Sequence, residues 1–580
     1  MNRWAGVVAL LLALGGCGGG GGASGSGGTT VPVPAVSAPG APTAVSASAA
    51  DGGAILTFTA PSSTGGASIS GYGAVCSAAG QAPRTATGTA APLTVTGLLN
   101  GQAYSCTVAA TNSAGTGPAS TAVTVTPLAP ASSTDFPGSL VLGAPTDTSV
   151  RLKLQPSAAS GTVTAYYTAQ GETVEGQTAA VQVTAGKTSE LSFVTLKPAT
   201  AYSYRVVLTP VAGTVVSTRS YGFQTARPAG STFTFTVQAD SHLDENANLE
   251  QYQRTLANVL ADQPDFHIDL GDTFMTEKHS EPFSAIVLPA ASRAVVDTRY
   301  SFERGNFGRM THSVPLFLVN GNHDAELGWL LGATAQSLPV WASLARQENF
   351  AVPVPGGFYS GDSVIDPQAG NRVAWYAWTW GDALFVVLDP YWNSTQKSSD
   401  GWSLTLGSRQ YQWLASTLGT STARFKFIFL HNLVGGLDGQ MRGGIEAAPF
   451  YEWGGRNSDG SAGFAAKRPG WALPIHDLLV RNKVTAVFHG HDHVYVNQLL
   501  DGIVYQAVPQ PSATNNNSGA SIAASYHYVS GTIASSSGHL RVTVTPGGVT
   551  SRYVRSWLPK DETSSRSNGQ IDHTWTALPP

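Results

Sequence analysis

Residues 484–493 read Val-Thr-Ala-Val-Phe-His-Gly-His-Asp-His. The alternating apolar positions Val484, Ala486 and Phe488 predict a buried strand, and Gly490 opens a turn that presents His491 and His493. Two residues apart on extended backbone, those imidazoles point the same way and can reach metal ions just beyond the strand. A His-rich loop is also a common polar turn, so the pattern gains weight only if it recurs.

It recurs four times. Phe233, Phe235 and Val237 alternate and lead to Asp240-Ser241-His242, after which Leu249, Tyr252, Leu256, Val259 and Leu260 follow at helical spacing. Phe266, Ile268 and Leu270 lead to Gly271-Asp272, residues 314–319 to Gly321-Asn322-His323-Asp324, and residues 425–430 to His431. Strands alternating with helices, each strand ending in Asp, Asn or His, describe an α/β sheet whose ligands collect at the carboxyl ends of its strands.

Taken in order, D-x-H, G-D, G-N-H-D, a lone His and G-H-x-H resemble the signature of the calcineurin-like metallophosphoesterases across 231–557. The resemblance implies a four-layer α/β/β/α domain with a dinuclear metal centre. Asp240, His242 and His493 would hold one ion, Asn322, His431 and His491 the other, and Asp272 would bridge them; His323 would bind neither. Carboxylate, imidazole and amide oxygen suit manganese, iron, zinc or cobalt better than calcium. Two such ions about 3.5 to 4 Å apart share a hydroxide and clamp phosphoryl oxygens for in-line displacement.

Asn322 supplies a neutral oxygen, which limits the negative charge facing an anionic substrate. His323 is placed to donate to the leaving oxygen or a phosphoryl oxygen, with Asp324 either orienting its ring or standing as a solvated turn residue. Besides Asn322, the candidate phosphate contacts are Lys278, His279 and Arg442, with plain surface charge as the alternative for these three. His489 is expected in the core or behind the ligands, and His267 and the aromatic run 375–380 in the core. One departure matters: purple acid phosphatases have Gly where this chain has His242, and a Tyr ligand where it has Met275. The ligands therefore match non-purple relatives, and ferric iron is not implied.

Ahead of this domain, residues 42–127 show short Val/Thr/Ala-rich runs between turns, the spacing of an all-β sandwich. They resemble a fibronectin type III domain through Leu98-Leu99-Asn100-Gly101-Gln102-Ala103-Tyr104, with its corner tyrosine, and through residues 111–118. In that fold Cys76 and Cys106 fall on neighbouring strands, and a disulfide is expected in an exported compartment, two buried thiols being the alternative. Residues 136–226 repeat the Leu-to-Tyr corner at 196–202 and resemble the N-terminal β-domain of purple acid phosphatases. Neither sandwich carries a catalytic cluster, so both are expected to be spacers or contact modules. Residues 558–580 are expected to form a tail.

The chain begins with Arg3 and an apolar run at 5–14, too short to span a bilayer. Residues 1–16 look like a secretory signal peptide, and Leu14-Gly15-Gly16-Cys17 resembles a bacterial lipobox. That resemblance implies a lipidated Cys17, a Gly-rich tether over 17–41 and, in a Gram-negative envelope, the outer membrane. An ordinary signal peptide with a chance Cys is the alternative. Charged residues make up 12% of 580, net charge is -4, and no basic stripe exists for a nucleic-acid backbone to contact. The sequence thus describes an exported multidomain protein, two all-β sandwiches followed by an α/β metallophosphoesterase domain. Phosphomonoesters are favoured as substrates. A phosphodiesterase and an adhesive surface protein with an inactive phosphoesterase domain are the alternatives.

Overall fold

The computed structural model describes residues 35–579 except 51, 101, 128–133, 245–246, 277–291, 333, 398–399, 440 and 514–517. The signal and lipobox residues including Cys17, most of the tether, and Lys278 and His279 lie outside the described residues. The chain divides into two compact units, 1–129 and 130–580. No helix among the described residues is long and apolar enough to cross a membrane.

The first unit is a sandwich of a three-stranded and a five-stranded sheet. Its longest strand, Tyr104–Asn112, alternates strictly and turns Tyr104, Cys106, Val108 and Ala110 onto a core with Leu56, Tyr72, Val95 and Leu98. The Tyr104 hydroxyl accepts the Leu99 N–H at 3.0 Å, tying the chain down where it enters that strand. Cys76 and Cys106 stand directly opposite each other on paired strands and form the expected disulfide.

In the second unit, a nine-stranded and an eight-stranded sheet pack face to face. Phe235 and Phe266 of one sheet meet Phe385, Phe427 and Phe488 of the other, with the Phe235 and Phe385 ring centroids 5.1 Å apart. Each fully buried Phe contributes roughly 1.5 to 3 kcal/mol, so this aromatic layer is the main tie between the sheets. Alternation sends the intervening side chains outward, where Leu384, Val386, Ile428 and Val487 pack beneath helices Gly407–Thr420 and Ile475–Arg481. On the far side, Val141 and Leu316 lie beneath helices Leu249–Ala261, Arg293–Thr311 and Leu338–Asn349. The four layers are those expected.

Two features of this unit depart from the expected boundaries. The second sandwich has its own core, with Leu152, Val163, Phe193 and Tyr204 at its centre, and the Lys197 N–H bonds the Tyr202 hydroxyl as in the first unit. One of its sheets nevertheless runs on into the nine-stranded sheet: Gly138–Gly143 lies beside Leu316–Leu318 in parallel, with Gly143 opposite Leu316. The buried Arg304 donates to the Lys153 carbonyl and the Thr311 hydroxyl to the Leu140 carbonyl across that seam. The segment is therefore built into the nine-stranded sheet. At the other edge, Ile571–Ala577 pairs with Gly548–Arg555 and closes the sheet, so residues 558–580 are more than a tail. Trp575 is buried against the aromatic layer, which is what holds that strand in place.

Candidate active site

Five strands of the two sheets deliver their carboxyl ends to one place. Past Phe233–Gln238 come Asp240 and His242; past Phe266–Asp269, Asp272; past Leu316–Leu318, Asn322 and His323; past Phe425–Phe429, His431; past Ala486–His489, His491 and His493. Donor atoms of Asp240, His242 and His493 lie within 4.8 Å of one another, and so do those of Asp272, His431 and His491. The two sets meet on one atom. Asp272 Oδ2 is 3.4 Å from His242 Nε2 and 3.0 Å from His431 Nε2.

The backbone at these ligands is unusual. Asp240, His242, Asp272, His491 and His493 have φ of 60°, 53°, 55°, 73° and 55°, the left-handed region that non-glycine residues enter rarely and at a cost of about 1 to 3 kcal/mol each. The tight turns bring the loops into contact. A Cβ on Gly490 would lie 2.7 Å from Asp240 Oδ2, and the His491 N–H donates to both oxygens of Asp240 at 2.8 and 3.0 Å. His431 Nδ1 bonds the Leu270 carbonyl at 2.9 Å, which leaves Nε2 facing the site. His323 donates its backbone N–H to Asp272 Oδ1, fixing the other face of the shared carboxylate.

Burial alone would lower the His242 pKa, but the carboxylates of Asp244, Asp272 and Asp240 raise it to about 10; burial is likewise overcome at His431, which Asp272 and Asp240 raise to about 9. Burial lifts Asp240 to about 7, assisted by the charge of Asp272, and His431 and His242 oppose it. Burial also raises Asp272, yet His431, His323 and His242 together hold it well below the ordinary carboxylate range. Burial and the charge of His431 bring His491 down to about 4.

The donor set fits divalent cations. Asn322 Oδ1 and His242 Nε2 are buried, and neither has a hydrogen-bond partner among the described residues, the condition of atoms shaped to meet a cation. His242 opens on a cavity of about 250 Å³ that is also lined by Asp244, Asp272, His323, Arg442, His491, His493 and Gln510. His323 thus reaches the cavity, its ring 5.3 Å from that of His242.

Asp324 differs from the ring-orienting expectation. Its Oδ1 accepts the N–H groups of Thr273 and Phe274, and its Oδ2 those of Asp272 and Gly321, all at 2.8 to 3.0 Å. Each oxygen has its two lone pairs taken by backbone, so this carboxylate clamps two ligand loops together. His489 is buried in the sheet, as is His267, whose Nδ1 bonds Thr236 while its Nε2 has no partner among the described residues. Trp378 and Trp380 of the aromatic run are in the core.

Four residues of the site went unrecognised in the sequence. Asp244 Oδ2 stands 3.6 Å behind His242 Nδ1, a carboxylate backing a ligand imidazole; the alternation Asp240, His242, Asp244 was the available signal. Asp492 bonds Arg442, Gly443 and Tyr528. Gln510 lines the cavity, and fully buried Arg299 donates to the carbonyls of Phe274 and Leu243, bracing both carboxylate loops from a helix. The last two carry no local sequence mark.

Comparison with known proteins agrees with this architecture. Residues 233–495 match the calcineurin-like phosphoesterase family and residues 38–126 the fibronectin type III domain. The chain carries a calcineurin-like phosphoesterase domain behind an N-terminal fibronectin type III domain. A solved structure of PhoD shares 16% identity, covering 78% of this chain and 92% of its own, with a TM-score of 0.55. A purple acid phosphatase from yellow lupin (Lupinus luteus) seeds shares 13% identity over 91% of this chain and 93% of its own, with a TM-score of 0.49. No curated protein matches the chain.

Proposed function

We propose that the protein is an exported phosphoesterase that uses two divalent cations and prefers phosphomonoesters. The observation that carries the reading is that two clusters of donor atoms, Asp240, His242 and His493 in one and Asp272, His431 and His491 in the other, lie side by side, with Asp272 Oδ2 within 3.4 Å of a histidine from each. Asp240, His242 and His493 would hold one cation and Asn322, His431 and His491 the other, with Asp272 shared; such a pair supplies Lewis acidity and an activated water. The chain's own residues do the rest. Asp324 holds the Asp272 and Gly321 loops at fixed separation, Asp244 stands behind His242, and Arg442 contributes positive charge to the cavity. His323 reaches the same cavity and donates a proton to the departing oxygen.

The test is metal analysis of the purified protein beside a panel of mono- and diesters, with Asp272→Asn as the control. Loss of turnover and of bound metal in that variant, with both sandwiches folded, is the expected result; near-normal activity refutes the shared-carboxylate assignment. Export and anchoring are part of the proposal and rest on the lipobox-like residues ending at Cys17. Each buried methylene of an acyl chain adds about 0.8 kcal/mol, and stable attachment takes more than one chain. Cys17→Ser is expected to move active enzyme from the membrane fraction to the soluble one. Wild-type protein that is wholly soluble, with an unmodified N-terminus beyond Cys17, refutes the anchor.

A further inference from the structure

We propose that Arg442 determines the choice of monoesters over diesters, and that Asp492, Tyr526 and Tyr528 are positioning residues that aim it. The inference rests on the phosphoesterase reading and adds to it which residues set ester class and how.

Arg442 is held at one end and open at the other. Its Nη1 donates to the His491 carbonyl at 3.1 Å and to Asp492 Oδ1 at 3.2 Å. Its guanidinium carbon sits 3.9 Å from the centroid of the Tyr526 ring, which fixes the plane of the group. Asp492, 2% exposed, is pinned in turn: its Oδ2 accepts the Tyr528 hydroxyl at 2.6 Å and the Gly443 N–H at 3.1 Å. Among the described residues Nε and Nη2 have no hydrogen-bond partner, and the side chain lines the cavity beside Asp272, His491 and His493. A guanidinium anchored through one nitrogen and stacked on a ring keeps its Nε–Nη2 edge as a fork that can close with two N–H donors on one phosphoryl oxygen.

Ester class follows from oxygen count. A monoester dianion has three terminal oxygens, so two can face the two ligand sets and one remains for Arg442. A diester has two, and at the third position it carries an ester substituent that offers the fork no anionic oxygen. Among the described residues, each one lining the cavity is polar or charged, and Arg442 is the one of them with a permanent positive charge. The added contact is therefore worth most to the substrate with the greater negative charge. Loss of a charge-assisted hydrogen bond of this sort corresponds to about a 10- to 150-fold change.

The test uses the full chain loaded with its cations, nitrophenyl phosphate and bis(nitrophenyl) phosphate as substrates, and calorimetric binding of inorganic phosphate as a readout independent of turnover. Arg442→Gln is expected to lower monoester kcat/KM and phosphate affinity by about 100-fold while changing diester kcat/KM by less than about 5-fold. Tyr528→Phe keeps the ring but removes the hydroxyl that pins Asp492. It is expected to shift the monoester-to-diester ratio and phosphate affinity in the same direction by about 5- to 10-fold, at unchanged metal content. Arg442→Lys, which keeps the charge without the fork, should fall between wild type and Arg442→Gln, and it carries the test if the glutamine variant does not fold. Equal losses on both esters, or unchanged phosphate affinity in metal-loaded Arg442→Gln, overturns the proposal. A wild-type protein that binds cations yet cleaves neither ester overturns the phosphoesterase reading instead.

Discussion

Replacing Asp324 with Asn tests whether the ligand loops are held by this one side chain. The carboxylate accepts four backbone N–H groups, two on each oxygen, from Asp272, Thr273, Phe274 and Gly321. An amide exchanges one acceptor oxygen for an NH2 group, and in either orientation that group faces two N–H donors. Two buried donors then lose their partner at about 1 to 3 kcal/mol each, a total of about 2 to 6 kcal/mol against the 5 to 15 kcal/mol typical of a folded domain. Asp272 and its left-handed backbone lie inside the clamp, so cation affinity should fall as well, by about 10- to 100-fold. Urea unfolding of the second unit, followed by tryptophan fluorescence with and without added zinc or manganese, reads the first effect; metal titration reads the second. An unchanged unfolding midpoint together with unchanged cation affinity would refute the clamp.

Three further outcomes are expected. The metal-free protein holds His242 at about 10 and His431 at about 9, above the 6.5 of an unfolded histidine. These two contribute stability that is complete below pH 6.5 and lost as pH rises through 9 and 10, whereas cations require the neutral rings. Cation uptake at pH 7 should therefore release protons, seen by calorimetry in buffers of different ionisation enthalpy, and the metal-free melting temperature should fall between pH 8 and 10; uptake without proton release refutes this. Buried Glu326 joins Arg346 and Arg372, which keep its pKa lowered against the effect of burial. Glu326→Gln leaves two buried guanidiniums with Asp389 as the remaining carboxylate and should cost about 3 to 5 kcal/mol, read as a lower denaturation midpoint of the second unit. His323→Ala should slow alkyl phosphates far more than nitrophenyl phosphate, because only the poorer leaving group needs the proton; equal losses would reassign the ring to positioning.

What was legible in the sequence was what has a local cause. A metal ligand at the end of a strand must follow an alternating apolar run, so Phe233 to His242 and Val484 to His493 announce themselves within ten residues. Cys76 and Cys106 were readable for the same reason, since alternation and the fold's strand order put them face to face. The pairing of Gly143 with Leu316 joins segments more than 170 residues apart and leaves no trace in either one. The strand Ile571–Ala577 carries Asp572, His573 and three Thr or Ala positions, too polar to stand out, and its place is set by Trp575 reaching a distant core. The Asp324 misreading has a similar origin. A carboxylate next to His323 in sequence suggested a partner for that ring, while three of the four donors it serves come from another loop about 50 residues away.

The left-handed backbone at five of the ligands also bears on how such a chain would change over generations. At Asp240, His242, Asp272, His491 and His493 a glycine would relax the backbone, a gain on the order of 1 kcal/mol at each, and would destroy the chemistry. Mutation in a lineage freed from catalysis is therefore biased downhill, toward losing these particular side chains before neutral ones. In this chain all five are Asp or His. A surface scaffold that had abandoned hydrolysis would have little to set against that bias, and glycine at some of these five positions would be its expected outcome.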